Sequence, residues 1–134
     1  MSKGSKHDAG KAPLHMIPEE ALIGMAEAFA FGANKYGKFN YKKGLEITRL
    51  TDSLRRHALA FLQGEDLDPE SGLHHTKHIL ANAAMLEYTR LHRPEMDDRY
   101  KEELESPIII QEYTVTSDGN AILHIPDGYK ITKE

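Results

Sequence analysis

The segment from Arg55 to Asn82 constrains the fold most, because it reads as two helices joined by a short acidic loop. In the second helix His75, His78 and Asn82 fall at i, i+3 and i+7, which places their side chains on one face. Beside this polar row runs an apolar row of Ile79, Ala83 and Leu86. We therefore expect the polar row near the core, where buried polar groups need partners.

The loop between these helices carries four closely spaced carboxylates, at Glu65, Asp66, Asp68 and Glu70. Carboxylates this close repel one another unless water solvates them or a cation binds between them. Their oxygens are the ligands that Mg²⁺ and Mn²⁺ prefer. The loop therefore predicts a metal site, with an ordinary solvated surface loop as the alternative.

The preceding helix adds to this candidate site. Its apolar stripe consists of Leu54, Ala58 and Phe61. Arg56 and His57 lie beside that stripe, and titratable groups near a core concentrate at functional sites.

The length of 134 residues suits one domain with its own core. We expect a single domain over 1–134, with an N-terminal arm at 1–13, a helical core carrying the site at 14–93 and a C-terminal extension at 94–134. The net charge of −4 argues against duplex nucleic acid, and the lack of cysteine excludes disulfides and thiolate sites. The chain shows neither a membrane-length apolar run nor a signal peptide, which predicts a soluble cytoplasmic protein.

The first helix is predicted to begin at Pro18, because proline and acidic residues favour a first helical turn. Its apolar stripe continues to Ala33. Glu20 and Glu27 are seven residues apart and so share a face. They either join the acidic loop around a metal or face solvent.

The segment 32–44 mixes glycines, lysines and aromatic rings, and Gly37 fits a helix C-cap. Its rings are suited to stacking on a nucleotide base: Tyr36, Phe39 and Tyr41. Its lysines are suited to binding phosphate oxygens: Lys35, Lys38, Lys42 and Lys43. An ordered loop without a ligand is the alternative.

The remaining pattern predicts two more helices and a hairpin. The second helix runs from about Thr48 or Thr51 to Gln63, and the third from about Leu73 to Leu91. A short exposed helix follows at 95–105, and strands at 107–115 and 121–125 flank a turn. The fold class is therefore mainly α, a helical bundle with a small C-terminal β-hairpin.

Several common motifs are incomplete here. The acidic loop has Ser71 where a calcium loop requires glycine, and His75 and His78 are three apart instead of the four of zinc peptidases. His7-Asp8 lies in the N-terminal arm, which argues against a His-Asp phosphohydrolase. The chain has no glycine-rich phosphate loop and no serine in a nucleophile elbow.

A series of motifs does occur in order: Asp8-Ala9-Gly10-Lys11, Ile17-Pro18-x-Glu20-Ala21-Leu22, Phe31-Gly32-Ala33-x-Lys35-Tyr36-Gly37-x-x-Asn40, Arg56-His57, and Gly64-Glu65-Asp66-x-Asp68-x-Glu70-Ser71-Gly72-x-x-His75-x-x-His78-x-x-x-Asn82. This series, from residue 8 to about 90, resembles a phage and bacterial family of dATP/dGTP diphosphohydrolases. That family is related to the MazG-like all-α NTP pyrophosphatases. The acid-x-x-acid pattern of MazG-like helices is replaced here by His75-x-x-His78.

The resemblance implies hydrolysis of a purine deoxynucleoside triphosphate to the monophosphate and pyrophosphate with Mg²⁺ or Mn²⁺. We expect the metal ligands to come from the acids Glu65, Asp68, Glu70, Glu20 and Glu27. Substrate binding is expected from Lys11, Lys35, Tyr36, Asn40, Arg56 and Asn82. Proton transfer or ligand orientation is expected from His57, His75 and His78. Such helical proteins generally assemble, so a homodimer or homotetramer is expected.

Two alternatives remain at the level of the sequence. One is a MazG-like pyrophosphatase for another nucleotide, such as dUTP, dCTP or a modified dNTP. The other is a protein that senses nucleotides or contacts a host protein without catalysis.

Overall fold

The computed structural model describes residues 3–102, 112–115, 117 and 121–124. Three α-helices form most of the first range: α1 spans Glu19–Tyr36, α2 spans Ile47–Leu62 and α3 spans His75–His92. Short 3₁₀ turns lie at Leu14–Met16, Asn40–Lys43 and Pro94–Met96. The prediction of a mainly helical protein is confirmed. No helix in the described part of the chain combines the length and hydrophobicity that a bilayer span requires.

The helix ends follow from local sequence. α1 begins after Pro18 with two acids in its first turn and ends at Gly37, whose φ of 92° favours glycine. α3 begins two residues later than predicted, because His74 adopts an extended conformation and accepts a hydrogen bond from the Thr76 amide at 3.4 Å. Beyond α3, the predicted helix at 95–105 is absent over 97–102, and 103–105 lie outside the described residues.

α3 lies at the centre of the arrangement, since it packs against both α1 and α2. α1 approaches α3 closely at Gly24, where an added Cβ would come within 3.1 Å of the Lys77 side chain. The ammonium group of Lys77 then reaches Glu27 on α1 at 2.8 Å. These contacts join α1 and α3 through two partly exposed side chains.

The interior is small and unusually polar. Its fully buried hydrophobic residues, within the described ranges, are Ala28, Leu50 and Ala81. Beside them His75, His78 and Asn82 are at most 9% exposed. The prediction that this polar row lies near the core is confirmed. Several large apolar side chains are in contrast exposed, including Leu22, Ile23, Leu59, Leu62 and Leu91.

The chain divides into two compact units, Met1–Arg99 and Tyr100–Glu134. In the second unit β1 (Glu112–Val115) pairs antiparallel with β2 (Ala121–His124), and Tyr113 lies opposite Leu123. The remainder of the predicted strands and most of their turn lie outside the described residues. The C-terminal hairpin and the single-domain organisation therefore stay predictions.

Candidate active site

The acidic loop between α2 and α3 is held in one conformation by its own backbone. The Asp68 amide donates to the Leu73 carbonyl at 2.8 Å, and the Gly72 amide donates to the Asp68 carbonyl at 2.8 Å. The first amide of α3, at His75, donates to the Asp66 carbonyl at 2.9 Å. The loop is thus anchored at both ends, which fixes where its side chains point.

Ser71 joins Asp68 to His78. Its hydroxyl lies 2.8 Å from Asp68 Oδ2 and 2.6 Å from His78 Nε2, and it accepts from the Leu73 amide at 3.1 Å. A carboxylate only accepts, so the hydroxyl donates to Asp68 and the ring nitrogen of His78 donates to Ser71. Asp68 Oδ2 lies 3.5 Å from that same nitrogen. A Ser-His-Asp triad requires the acid on the other ring nitrogen, so this group is not one.

His57 from α2 meets His75 from α3 in the same place. Their Nδ1 atoms are 2.8 Å apart, and His75 Nε2 lies 2.8 Å from Glu65 Oε1. The carboxylate of Glu65 accepts from His75, so in the neutral ring of His75 the Nδ1 atom carries the lone pair. His57 also stacks on His78, and the edge of Phe31 contacts His78 with 5.9 Å between centroids.

The surroundings of His57, His78 and Asp68 favour the unprotonated form of each group, which is the form that binds a metal or accepts a proton. Burial lowers the pKa of His57 below 6.5, and the neighbouring His78 lowers it further. Burial likewise lowers the pKa of His78. Burial alone would raise the pKa of Asp68, but the two hydrogen bonds from Ser71 and the nearby His78 lower it below 3.8. These shifts favour neutral imidazoles at His57 and His78 and an ionised carboxylate at Asp68 at neutral pH.

A cavity of about 1000 Å³ opens from this cluster along α1 and α2. Ten of the predicted site residues line it: Lys35, Tyr36, Asn40, Arg56, His57, Asp68, Glu70, His75, His78 and Asn82. The cavity is at the upper end of the size range of ligand pockets. The sequence-predicted residues thus meet in one place, although their roles stay predictions.

Positively charged side chains line the cavity. Lys35 on α1 pairs with Glu70 of the acidic loop, and this hydrogen bond raises the pKa of Lys35. Arg56 lies close enough to His57 to lower its pKa. Arg49, which the sequence analysis did not select, also lines the cavity. The wall is therefore suited to a polyanionic ligand.

The three aromatic rings of segment 32–44 differ in availability. Tyr36 and Phe39 are 62% and 61% exposed and line the cavity. Tyr41 packs edge-on between Phe29 and Tyr88, with centroids 5.4 and 5.3 Å away, and so secures the turn to α1 and α3. Phe39 has a left-handed backbone with φ of 61°, alone among non-glycine residues of the described chain. Such strained positions concentrate at functional sites.

The side-chain amide nitrogen of Asn82 forms hydrogen bonds with two neighbouring groups. That nitrogen donates to the His78 carbonyl at 2.9 Å and to Ser53 Oγ at 3.2 Å. It therefore bonds to the backbone of His78, not to an imidazole ring. Its contribution is to hold α2 against α3 beside the cluster.

Four predicted residues do not line the cavity. Lys11 lies in the exposed N-terminal arm, and Glu20 is exposed in the first turn of α1. Glu27 forms an ion pair with Lys77, as described above. Glu65 touches the site only through His75. The metal-binding role predicted for these acids is untested.

One set of side chains in the described residues has metal-ligand spacing. Ligand atoms of His57, Asp68 and His75 lie within 4.8 Å of one another. Two imidazoles and one carboxylate can bind a divalent ion. This set shares Asp68 with the predicted acidic ligands but adds two histidines to it.

Ser71 and Phe31 are contacts that the sequence analysis did not select. From the sequence alone Ser71 has no predicted role in the site, whereas its hydroxyl is the hydrogen-bonding link between Asp68 and His78. Its position three residues after Asp68 is a signal for a local side-chain turn, in which a carboxylate accepts from a nearby amide. Phe31 carries no comparable signal, because its contact with α3 depends on helix packing.

These features define a helical protein in which a histidine–aspartate cluster opens into a cavity with cations and exposed aromatic rings. The chain belongs to the family described as dATP/dGTP diphosphohydrolase, N-terminal, whose model matches residues 1–99. The predicted family is thereby confirmed. A curated relative, the dATP/dGTP diphosphohydrolase of Salmonella phage PMBT28, is 40% identical over 96 residues.

That match covers 72% of this chain and 33% of the relative, so the chain spans about a third of the length of the protein it resembles. No solved structure matches.

Proposed function

We propose that this protein hydrolyses a purine deoxynucleoside triphosphate, dGTP or dATP, to the monophosphate and pyrophosphate with a divalent metal. The observation that carries the proposal is the shared cavity, which is lined by cations, by aromatic rings and by the His57–Asp68–His75 cluster. Family membership and the name of the phage relative support the same reaction.

The triphosphate is assigned to the cationic wall. Lys35, Arg49 and Arg56 face the cavity from α1 and α2. Arginine binds phosphate oxygens through paired N–H groups, and lysine contributes a compact charge. Because Arg56 adjoins His57, a phosphate bound to it would lie next to the cluster.

The base is assigned to the exposed rings that line the same cavity. Tyr36 and Phe39 are more than half exposed, whereas Tyr41 is packed between Phe29 and Tyr88. Purines present a larger surface for stacking than pyrimidines, which favours dGTP and dATP. Lys42, 4.6 Å from the centroid of Phe39, supports that ring from one side.

The reaction adds water to the α-phosphorus and breaks its bond to the oxygen that bridges to the β-phosphorus. The entering water loses one proton, and the departing pyrophosphate takes the electrons of the broken bond. A bound divalent ion would supply charge neutralisation and a more acidic water. The lowered pKa values of Asp68 and His57 favour the unprotonated forms, which are the forms that bind such an ion and accept the proton.

We further propose that the active form is a homo-oligomer. The described chain buries few hydrophobic residues and leaves Leu59 and Leu62 on α2 exposed at 55% and 82%. The same face of α2 carries Asp52 and Arg55 around a shallow depression. A face with both an acid and a base is complementary to a second copy of itself about a twofold axis.

Product analysis tests the activity. Purified protein is incubated separately with dGTP, dATP, dCTP and dUTP in the presence of Mg²⁺ or Mn²⁺, with EDTA as control. Purine monophosphates and pyrophosphate that disappear with the chelator are expected. Turnover of dCTP or dUTP alone would assign another substrate, and saturable binding without turnover would assign a nucleotide sensor.

A further inference from the structure

We infer that His57, His75 and Asp68 form a site for a transition-metal ion such as Mn²⁺, Co²⁺ or Zn²⁺, and that this site rejects Mg²⁺. The inference names the metal class of the proposed active site and rests on the proposed function for its catalytic meaning. Binding of the ion itself is independent of that function.

The spacing of the two imidazoles fits two ligands on one ion. Their Nδ1 atoms lie 2.8 Å apart. Two nitrogens bound to one ion at about 2.0–2.1 Å and at right angles would be about 2.9 Å apart. One ligand atom from each of His57, His75 and Asp68 lies within 4.8 Å of the other two, which leaves room for an ion between the three groups.

The proton positions point the lone pair of His75 toward this space. Glu65 accepts the Nε2 proton of His75, which leaves Nδ1 as the unprotonated nitrogen. A carboxylate that accepts from the distal nitrogen of a histidine is the usual support for a metal ligand, since it fixes the ring's tautomer and orientation. Glu65 is therefore a positioning residue in this site.

Asp68 is held in a comparable way. In the described part of the chain, both hydrogen bonds from Ser71 go to its Oδ2 atom. Its other oxygen is left for a ligand bond. His78, in contrast, donates its Nε2 proton to Ser71 and stacks on His57 with 4.5 Å between centroids. His78 therefore orients the ligands and is not one of them through that nitrogen.

The donor set discriminates between metals. Mg²⁺ prefers oxygen ligands in an octahedron and keeps several waters, whereas imidazole nitrogen suits the later transition metals. Two nitrogens among three protein ligands thus disfavour Mg²⁺. A Mg²⁺ ion that takes part in the reaction would bind through the triphosphate oxygens instead.

The test is a titration of metal-free protein with Co²⁺, followed by its visible absorption. We expect one Co²⁺ per chain, with a spectrum that differs from the hydrated ion, and no displacement by excess Mg²⁺. His57→Ala and Asp68→Ala should abolish the spectrum. His92→Gln, at the opposite end of α3, is the matched control and should leave it unchanged.

Because His75 is 3% exposed, its replacement endangers the fold, so Glu65→Gln supplies a second measurement. Loss of such an outer carboxylate should weaken Co²⁺ binding about 10–100-fold while circular dichroism stays unchanged. A Co²⁺ spectrum identical to that of the hydrated ion, or equal binding by His57→Ala, would overturn the inference and identify the 2.8 Å contact as a simple hydrogen bond between histidines.

The two proposals fail in different ways. Hydrolysis of dGTP with Mg²⁺ as the sole metal, together with no Co²⁺ binding, would refute the metal site and keep the proposed function. Stoichiometric Co²⁺ binding without hydrolysis of any dNTP would keep the metal site and refute the proposed function.

Discussion

The imidazole rings of His57 and His78 lie face to face, with centroids 4.5 Å apart and planes inclined by 11°. One ring comes from α2 and the other from α3, so the contact sets the position of the site relative to both helices. Since His78 is itself bonded to Ser71, the orientation of His57 depends on the acidic loop through two successive contacts.

Ser71→Ala should lower both stability and activity. The change removes the hydroxyl that donates to Asp68 and accepts from His78 and the Leu73 amide, so His78 Nε2 and that amide lose this acceptor, while Asp68 retains the hydrogen bond from the Ser71 amide. We expect a loss of about 1–3 kcal/mol in the free energy of unfolding. Urea denaturation measures it, with Ser5→Ala in the exposed arm as control. Equal stability of the two variants would contradict the linking role of Ser71.

Asp68→Ala should abolish dNTP hydrolysis with the helical content retained. Asp68 is the loop acid whose side chain is largely buried beside both histidines, at 15% exposure. Asp66→Ala is the control, because the side chain of Asp66 is exposed and only its carbonyl supports α3. Initial rates on dGTP decide the matter. Near-normal turnover in Asp68→Ala would remove Asp68 from the site.

Arg56→Ala should lower kcat/KM more than replacement of an arginine outside the cavity. The side chain adjoins His57 at the cavity wall, where it is assigned to phosphate. Loss of a charge-assisted hydrogen bond of about 1.5–3 kcal/mol corresponds to a decrease of about 10–100-fold in kcat/KM. Arg90→Ala, in the last turn of α3, is the matched control. Similar kcat/KM values for the two variants would exclude the phosphate role.

Stability should decrease as the pH falls from 7 toward 5. The pKa values of His57 and His78 are lowered in the folded protein, so the unfolded chain binds more protons once the pH drops below about 6.5. Their contribution is therefore complete above that pH and is lost as the pH falls through the folded-state values. Thermal melting of metal-free protein across this range measures the effect. His57→Gln should flatten the curve, and an unchanged slope would show that burial of His57 is not its cause.

Leu62→Glu should shift the protein toward monomer. Leu62 lies at the end of α2 with 82% of its surface exposed, on the face assigned to a second copy. A buried charge at such a contact is costly, so the assembly should dissociate. Light scattering coupled to size-exclusion chromatography gives the mass. Leu91→Glu on α3 is the control, and dissociation by both variants would place the contact elsewhere.

The helices and the polar row of α3 could be predicted because their signals are local. Pro18, Gly37 and the spacing of His75, His78 and Asn82 depend only on backbone geometry and helical periodicity. The residues alone indicate one site that joins the acidic loop, Arg56-His57 of α2 and the polar row of α3, and the family resemblance adds Lys35, Tyr36 and Asn40 to it. Packing between helices has no comparable local signal.

The separate roles of the site's histidines and aromatic rings could not be predicted from the sequence. His57, His75 and His78 are equivalent as residue types, and their different partners depend on angles between α2 and α3. Tyr41 was grouped with Tyr36 and Phe39 as a stacking ring, although Phe29 and Tyr88 hold it. Side-chain competition of this kind is settled by tertiary neighbours, which one sequence does not reveal.

The ion pair between Lys35 and Glu70 has a consequence for how affinity responds to mutation and salt. An incoming phosphate must compete with Glu70 for the ammonium group of Lys35. The contribution of Lys35 to the binding free energy is therefore the difference between its ion pair with phosphate and its ion pair with Glu70. Removal of the Glu70 carboxylate would break the ion pair with Lys35. It would also remove a negative charge that repels the phosphates of the ligand. Glu70→Gln should therefore tighten the binding of a non-hydrolysable triphosphate and steepen its dependence on ionic strength, even where turnover suffers.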